Sequence, residues 1–265
     1  VGLEVGIDFK GGREYVIEST ERLDASTVRD QLTTVLESAP EVKTYGEELL
    51  IRTTEAGDDD VVKSLIVSEL ERNYAELSPT IGKSDTVSPR FARDLKRGAL
   101  YSVIGSLLVI FVYILIRFEW RYGVGAVVAL FHDVTIVLGL FALLHFVVPF
   151  SLQIDQAIIA AFLTIVGYSL NDTVVIFDRI REYSTIFKTQ PFEETVDRSI
   201  NRTMSRTIVT SGTTLLVVTV LFIFGGEVLK GFAFALIVGI LIGTYSSIFV
   251  ASPIVVELRR RFPIR

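Results

Sequence analysis

Three stretches of this chain carry no charged side chain: Gly98–Ile116, Thr207–Gly226 and Gly231–Val256. At about 1.5 Å per helical residue, runs of this length match the roughly 30 Å hydrocarbon thickness of a bilayer. Two further stretches are nearly as apolar. Tyr122–Phe150 is broken only by His132, Asp133 and His145, and Ala157–Phe177 only by Asn171 and Asp172. The direct reading is five membrane-spanning helices, at about 98–116, 122–148, 154–177, 207–225 and 231–256, in a membrane domain of residues 98–258.

What precedes these spans is a different material. Of the 265 residues, those up to Lys96 hold 20 acids and 12 bases, whereas the remainder holds 11 acids and 14 bases. An acidic soluble domain over 1–88 and a linker over 89–97 are therefore expected ahead of the membrane. The chain has no cysteine, which excludes disulfides, thiolate metal sites and a thiol nucleophile. Neither part has the basic field that phosphate neutralisation needs, so no nucleic-acid partner is expected, and no residue pattern calls for a metal or a cofactor.

Lysine and arginine in the short connections give an orientation, because cytoplasmic loops hold the excess of positive charge. Arg117, Arg121, the loop 178–206 (Arg179, Arg181, Lys188, Arg198, Arg202, Arg206) and the tail 259–265 (Arg259, Arg260, Arg261, Arg265) form one set. The opposite set holds only Lys230. The first set is placed in the cytoplasm, which leaves residues 1–97 extracytoplasmic and the C-terminus cytoplasmic in a multi-pass protein of the cell membrane. No apolar leader precedes Val1, so a sixth span upstream of this chain is expected.

Periodicity sets the expectation for the outer domain. Arg13–Ser19 alternates as a strand, and Asp24 is placed to cap a helix through Ser38 with Val28, Leu32, Val35 and Leu36 on one face. Val42–Tyr45 and Leu49–Thr53 read as strands joined at Gly46. Asp58, Asp59 and Asp60 open a second helix carrying Val61, Val62, Leu65, Ile66 and Leu70, and Thr80–Val87 is the last strand. This βαββαβ order predicts a ferredoxin-like α+β domain, a fold that names no function by itself.

Several motifs narrow the reading. Gly6-Ile7-Asp8-Phe9-Lys10-Gly11-Gly12 resembles the G-x-D-F-x-G-G signature of the SecD/SecF protein-export family. The run Gly167-Tyr168-Ser169-Leu170-Asn171-Asp172-Thr173-Val174-Val175-Ile176-Phe177-Asp178-Arg179-Ile180-Arg181-Glu182 resembles the SecF side of that family closely. Ser205-Arg206-Thr207, Thr210-Ser211-Gly212-Thr213-Thr214, Phe224-Gly225-Gly226 and Gly243-Thr244-Tyr245-Ser246-Ser247 follow in the SecF order. The resemblance implies an all-α polytopic membrane domain related to resistance-nodulation-division transporters, with five of six helices present. It also implies an accessory, non-enzymatic role in the Sec translocon that draws on the proton-motive force. The partners implied are SecD, separate or fused upstream, a SecYEG-type translocon, exported unfolded polypeptides and membrane lipids.

The residues can be asked whether they supply the parts. Asp172 lies about 8 Å inside its span, where a carboxylate costs roughly 2.5–3.5 kcal/mol. That cost calls for a partner or a role, and Arg206, near the same end of the next span, is the expected counter-charge. Asp172, Arg206, Asp133 and Asn171 are thus the candidate proton-coupling residues, with Thr210, Ser211, Thr213 and Thr214 as a polar path beside them. Thr207 belongs to the same hydroxyl cluster. His132 and Asp133 are expected to point in different directions, and His145 to be interfacial. Ala235, Gly239, Gly243, Ser247 and Ala251, at four-residue spacing, predict a helix face for close packing. Phe192, Val196 and Ile200 predict an amphipathic helix along the inner membrane surface.

Two other readings stay open at this point. An intramembrane aspartyl protease would pair Asp133 with Asp172, although no G-x-G-D sequence occurs. A purely structural translocon scaffold would use the acids for assembly alone.

Overall fold

The computed structural model describes residues 3, 5–37, 40–54, 57–145, 147–148 and 150–262. Expectations that touch Val1, Ser38, Pro149 and Arg265 lie outside the described residues. The chain forms two compact units, Val1–Leu100 with Leu143–Gln156, and Tyr101–Ala142 with Ala157–Arg265.

The first unit contains the single helical turn α1 (Ile7–Lys10), strands β1 (Gly12–Glu18), β2 (Glu41–Tyr45), β3 (Glu48–Thr53) and β4 (Thr80–Val87), and helices α2 (Ala25–Thr33) and α3 (Asp59–Tyr74). The sheet is antiparallel throughout, in the order β2-β3-β1-β4, as the βαββαβ reading predicts. Alternation along the strands puts Tyr15, Ile17, Leu49 and Ile51 into one apolar core with Val28 and Leu32 of α2 and Val62, Ile66 and Leu70 of α3. Val61 and Leu65 are on the exposed side of α3. Asp24 caps α2 by accepting the Thr27 amide at 2.8 Å, but the helix ends at Thr33 and not near Ser38. There the Thr34 hydroxyl bonds the Gln31 carbonyl at 2.6 Å, competing with the helical ladder. Asp58 caps α3 through the Asp60 amide at 3.2 Å.

Among the described residues, five helices are long and apolar enough to cross a membrane: α4 (Pro89–Arg117), α5 (Trp120–Leu144), α6 (Gln156–Ile186), α7 (Phe192–Phe224) and the stretch Leu229–Arg261. That last stretch is α8 (Glu227–Ser246), a π-helical turn at Ser247–Ala251 and α9 (Ser252–Arg261). Residues 89–97, read above as a linker, are the first turns of α4.

The loop 178–206, expected to be helical in parts and to begin as a continuation of the third span, is almost wholly helical, with only residues 187–191 connecting α6 to α7. Phe192, Val196 and Ile200 therefore do not form a separate surface helix. They are the first turns of α7, and Val196 is buried with Ile176, Phe177, Ile180 and Val255. Pro191 sets the start of the helix, and no proline interrupts the 33 residues that follow.

The small-residue face packs within the chain. A Cβ built on Gly239 would run into Ile165, and one on Gly243 would stand 2.8 Å from the Ser169 Cβ, so the helix this face meets is α6. Ala235, Ser247 and Ala251 are fully buried on the same face. Further along, the Ala251 carbonyl lies 2.9 Å from the Cβ position of Gly125 on α5.

Candidate functional site: two buried carboxylates among the membrane helices

Close approach of α8 to α6 brings hydroxyl groups against two acids. Asp133, on α5, is 1% exposed. Its Oδ2 accepts from Ser169 Oγ of α6 at 2.6 Å and from Ser246 Oγ of α8 at 2.8 Å. His132 Nδ1 lies 3.0 Å from its Oδ1. The expectation that His132 and Asp133 point apart is thus corrected: the imidazole folds back onto the neighbouring carboxylate, a contact that helical angles alone do not describe. His145 is buried.

Asp172, one turn beyond Ser169 on α6, is 4% exposed. Its Oδ2 accepts from Ser211 Oγ of α7 at 3.4 Å, and Ser211 Oγ is 2.7 Å from Thr244 Oγ1 of α8. Three helices therefore meet at each acid, and α6 and α8 take part in both clusters. Among the described residues no hydrogen bond joins the two carboxylates.

The expected contact between Asp172 and Arg206 is not made: no ion pair joins them among the described residues, and Arg206 is exposed. Arg206 lies five residues before Ser211, which is about 140° around a helix of 3.6 residues per turn. When Ser211 faces Asp172, Arg206 must face elsewhere. It lines a cavity of about 510 Å³ with Val175, Arg179, Arg202 and Thr203. Asn171 is exposed on the other side of α6.

Of the expected polar path only Ser211 reaches an acid. Thr210, Thr213 and Thr214 return their hydroxyls to the carbonyls of Arg206, Val209 and Thr210, at 2.8, 2.9 and 2.9 Å. Thr207 Oγ1 is buried and finds no partner among the described residues. Ser169, Thr244 and Ser246 were absent from the sequence-predicted site although each falls within a quoted motif. The four-residue spacing of small residues on the last span was the signal that could have found Ser246 and Thr244, because whatever flanks a close helix contact is drawn into it.

The glycine signature lies in the first unit. Gly11 and Gly12 have φ of +77° and +133°, which side-chain-bearing residues rarely adopt. A Cβ on Gly11 would stand 3.1 Å from Pro89 Cα, and one on Gly12 2.8 Å from the Thr53 carbonyl. Gly6 donates its amide to the Ile154 carbonyl at 2.9 Å, Phe9 donates to Gly6 at 3.1 Å, and Asp8 Oδ2 accepts the Gln156 amide at 3.0 Å.

Residues 66–261 match the family model described as protein export membrane protein SecD/SecF, C-terminal. The protein translocase subunit SecF of Rhodothermus marinus is 67% identical over 265 residues, covering 100% of this chain and 86% of that protein. The protein translocase subunit SecDF of Thermus thermophilus is 41% identical over 271 residues, covering 98% of this chain and 35% of its own longer one. A crystal structure of that translocon-associated SecDF superposes with a TM-score of 0.84 at 40% identity, over 97% of this chain and 35% of that one. A SecDF crystal structure in a super-membrane-facing form gives 0.70 at 38% identity, over 98% and 35%. With its four-stranded antiparallel domain and its five apolar helices, this multi-pass membrane chain belongs to the SecD/SecF protein-export family.

Proposed function

We propose that this chain works as the SecF component of a Sec translocon, using the proton-motive force to promote export of unfolded polypeptide. SecD and a SecYEG-type channel would be its partners, and it would perform no covalent chemistry. Residues 1–97 would be extracytoplasmic and the C-terminus cytoplasmic, which the lysine and arginine bias supports.

The observation that carries the reading is Asp172, a carboxyl group buried among apolar helices with a hydroxyl as its direct partner. Ser211 can donate to a carboxylate or accept from a carboxylic acid, and Thr244 beside it can do the same. Such partners serve both protonation states, whereas a fixed salt bridge would favour one. Arg206 supplies a charge nearby, and Asp133 is a second acid one helix away. Moving one charge across the membrane yields about 2.3 kcal/mol per 100 mV, enough to bias two arrangements that differ by a few kcal/mol.

The test is export into vesicles holding the whole complex, with and without an imposed proton gradient. Asp172→Asn should abolish the acceleration by the gradient and leave gradient-independent export in place. A variant that still responds to the gradient as the parent does would leave Asp172 with an assembly role only. The protease reading requires two carboxylates sharing a proton, and it finds no support in acids that each bond separate serines.

A further inference from the structure

The glycine signature is not used by the proton site, yet it touches the first residues of two apolar helices. α6 opens at Gln156, whose amide is one of the donors a helix start leaves without an intrahelical acceptor. A capping side chain at the preceding residue reaches the second or third amide, so this first one takes its acceptor from elsewhere. Here it is Asp8, 148 residues earlier in the chain.

The segment before Gln156 is fastened at further points. Val5 and Ile154 form a parallel bridge, and Gly6 donates to the Ile154 carbonyl. Gln153 donates to both carboxylate oxygens of Glu41 on β2, at 2.6 and 2.7 Å. Arg52 on β3 donates to Gln153 and pairs with Glu14 on β1 at 2.5 Å. Three strands thus hold the approach to α6, and Gly11 packs on Pro89, where α4 begins. From Gln156 the helix runs unbroken through Ser169 to Asp172, about 24 Å along its axis at 1.5 Å per residue. A helix is stiff over such a distance, so a displacement at its first turn is felt at the acid.

We propose that the Gly6–Gly12 loop is a mechanical clasp in which Asp8 is a positioning residue, capping α6 from the outer unit and tying that unit's motion to the helix that carries Asp172. The positive φ of Gly11 and Gly12 lets the chain double back into β1 directly after the clasp. The inference rests on the proton-coupled reading of Asp172 and adds to it the link by which the outer unit and the acid act on one another.

The experiment uses the whole complex in vesicles. Asp8→Ala removes the acceptor. Asp8→Asn keeps a side-chain oxygen that can accept the same bond. Gln156→Pro removes the donor from the other side, at a helix position where proline is well tolerated. Hydrogen exchange of the amides that open α6 should quicken about fivefold in Asp8→Ala, the factor that a lost cap carries. Both Asp8→Ala and Gln156→Pro should retain gradient-independent export and lose most of the acceleration by the gradient. The double variant should be no worse than either single one, and Asp8→Asn should behave as the parent. Should Asp8→Ala fail to accumulate, Gln156→Pro and Asp8→Asn carry the comparison. Unchanged exchange in Asp8→Ala, quickened exchange with gradient response intact, or additive losses in the double variant would each overturn the clasp. Asp172→Asn, assayed alongside, separates the two ideas: if it too responds to the gradient, the proton reading fails, and if it alone is unresponsive, only the clasp does.

Discussion

Asp133 and Asp172 are carboxyl groups of the same kind in neighbouring apolar helices, and their partners set them apart. Asp133 is held by two serine hydroxyls and an imidazole, with each oxygen engaged. Asp172 has, among the described residues, one longer bond to Ser211. Asp133 is therefore the more rigidly placed acid, and Ser246→Ala should destabilise the protein by about 0.6–1.7 kcal/mol, the range of hydrogen bonds between membrane helices. Unfolding in mixed detergent micelles would measure it. Ser211→Ala should change stability less and reduce the response of export to a proton gradient; equal effects of the two substitutions on that response would remove the distinction. Sequence reasoning found both acids because a carboxyl group inside an apolar run stands out. It assigned Arg206 to Asp172 because opposite charges near the same end of adjacent spans are the obvious pair. The partner is instead a serine, since helix rotation admits one of the two to the contact and the small residue allows α6, α7 and α8 to meet.

Glycines at the helix contacts separate into two groups by what they meet. Gly239 faces both γ-carbons of Ile165, a buried β-branched side chain that is stiff about its first torsion, whereas Gly125 faces a backbone carbonyl. Gly125→Ala and Gly239→Ala should thus each cost about 1–3 kcal/mol, and so should Gly243→Ala, which meets both the side chain and the backbone of Ser169. Melting of the purified variants would measure the losses, and an unchanged midpoint at Gly239 or at Gly125 would contradict the argument. The π-helical turn at Ser247–Ala251 lies at this same contact, where Ser252 donates to the Ser247 carbonyl at 2.9 Å. Inserting one residue into a turn changes which side chains face the neighbour, and π-turns of this type recur at functional sites. Helix boundaries were the least legible elements. Hydropathy marks where a helix is apolar, so it placed the start of the fourth span at Thr207 when the helix begins at Phe192. A helix continues past the apolar stretch wherever nothing breaks its backbone hydrogen bonds.

The whole molecule combines an acidic, water-facing unit with an apolar one, and its response to pH follows from the first. The hydroxyls of Ser26 and Thr27 hold the Asp24 carboxyl at about 2, below its ordinary 3.8. The Lys63 ammonium, followed by the Tyr15 phenol and Thr86, lowers Asp59. Both carboxylates release their protons more readily in the folded unit, so their contribution is complete above 3.8 and is lost as pH falls below it, for Asp24 towards about 2. Burial, then the bond to Asp59, raises Tyr15 above its ordinary 10.0, so a second loss begins as pH climbs past that value. Hydrogen exchange in β1 and α3 of the intact protein should show protection falling at both ends of the scale, and Asp24→Ala should flatten the acid limb. The sequence by itself determined the division into two materials, the strand and helix order of the outer unit, and the acids worth inspecting. Those are matters of local pattern: charge content, periods of two and of 3.6, and the cost of a carboxylate in hydrocarbon. Tertiary structure alone decided which hydroxyls meet which acid, which helix receives the small-residue face and which amide Asp8 accepts, because each depends on groups far apart in the chain being brought within 3–4 Å.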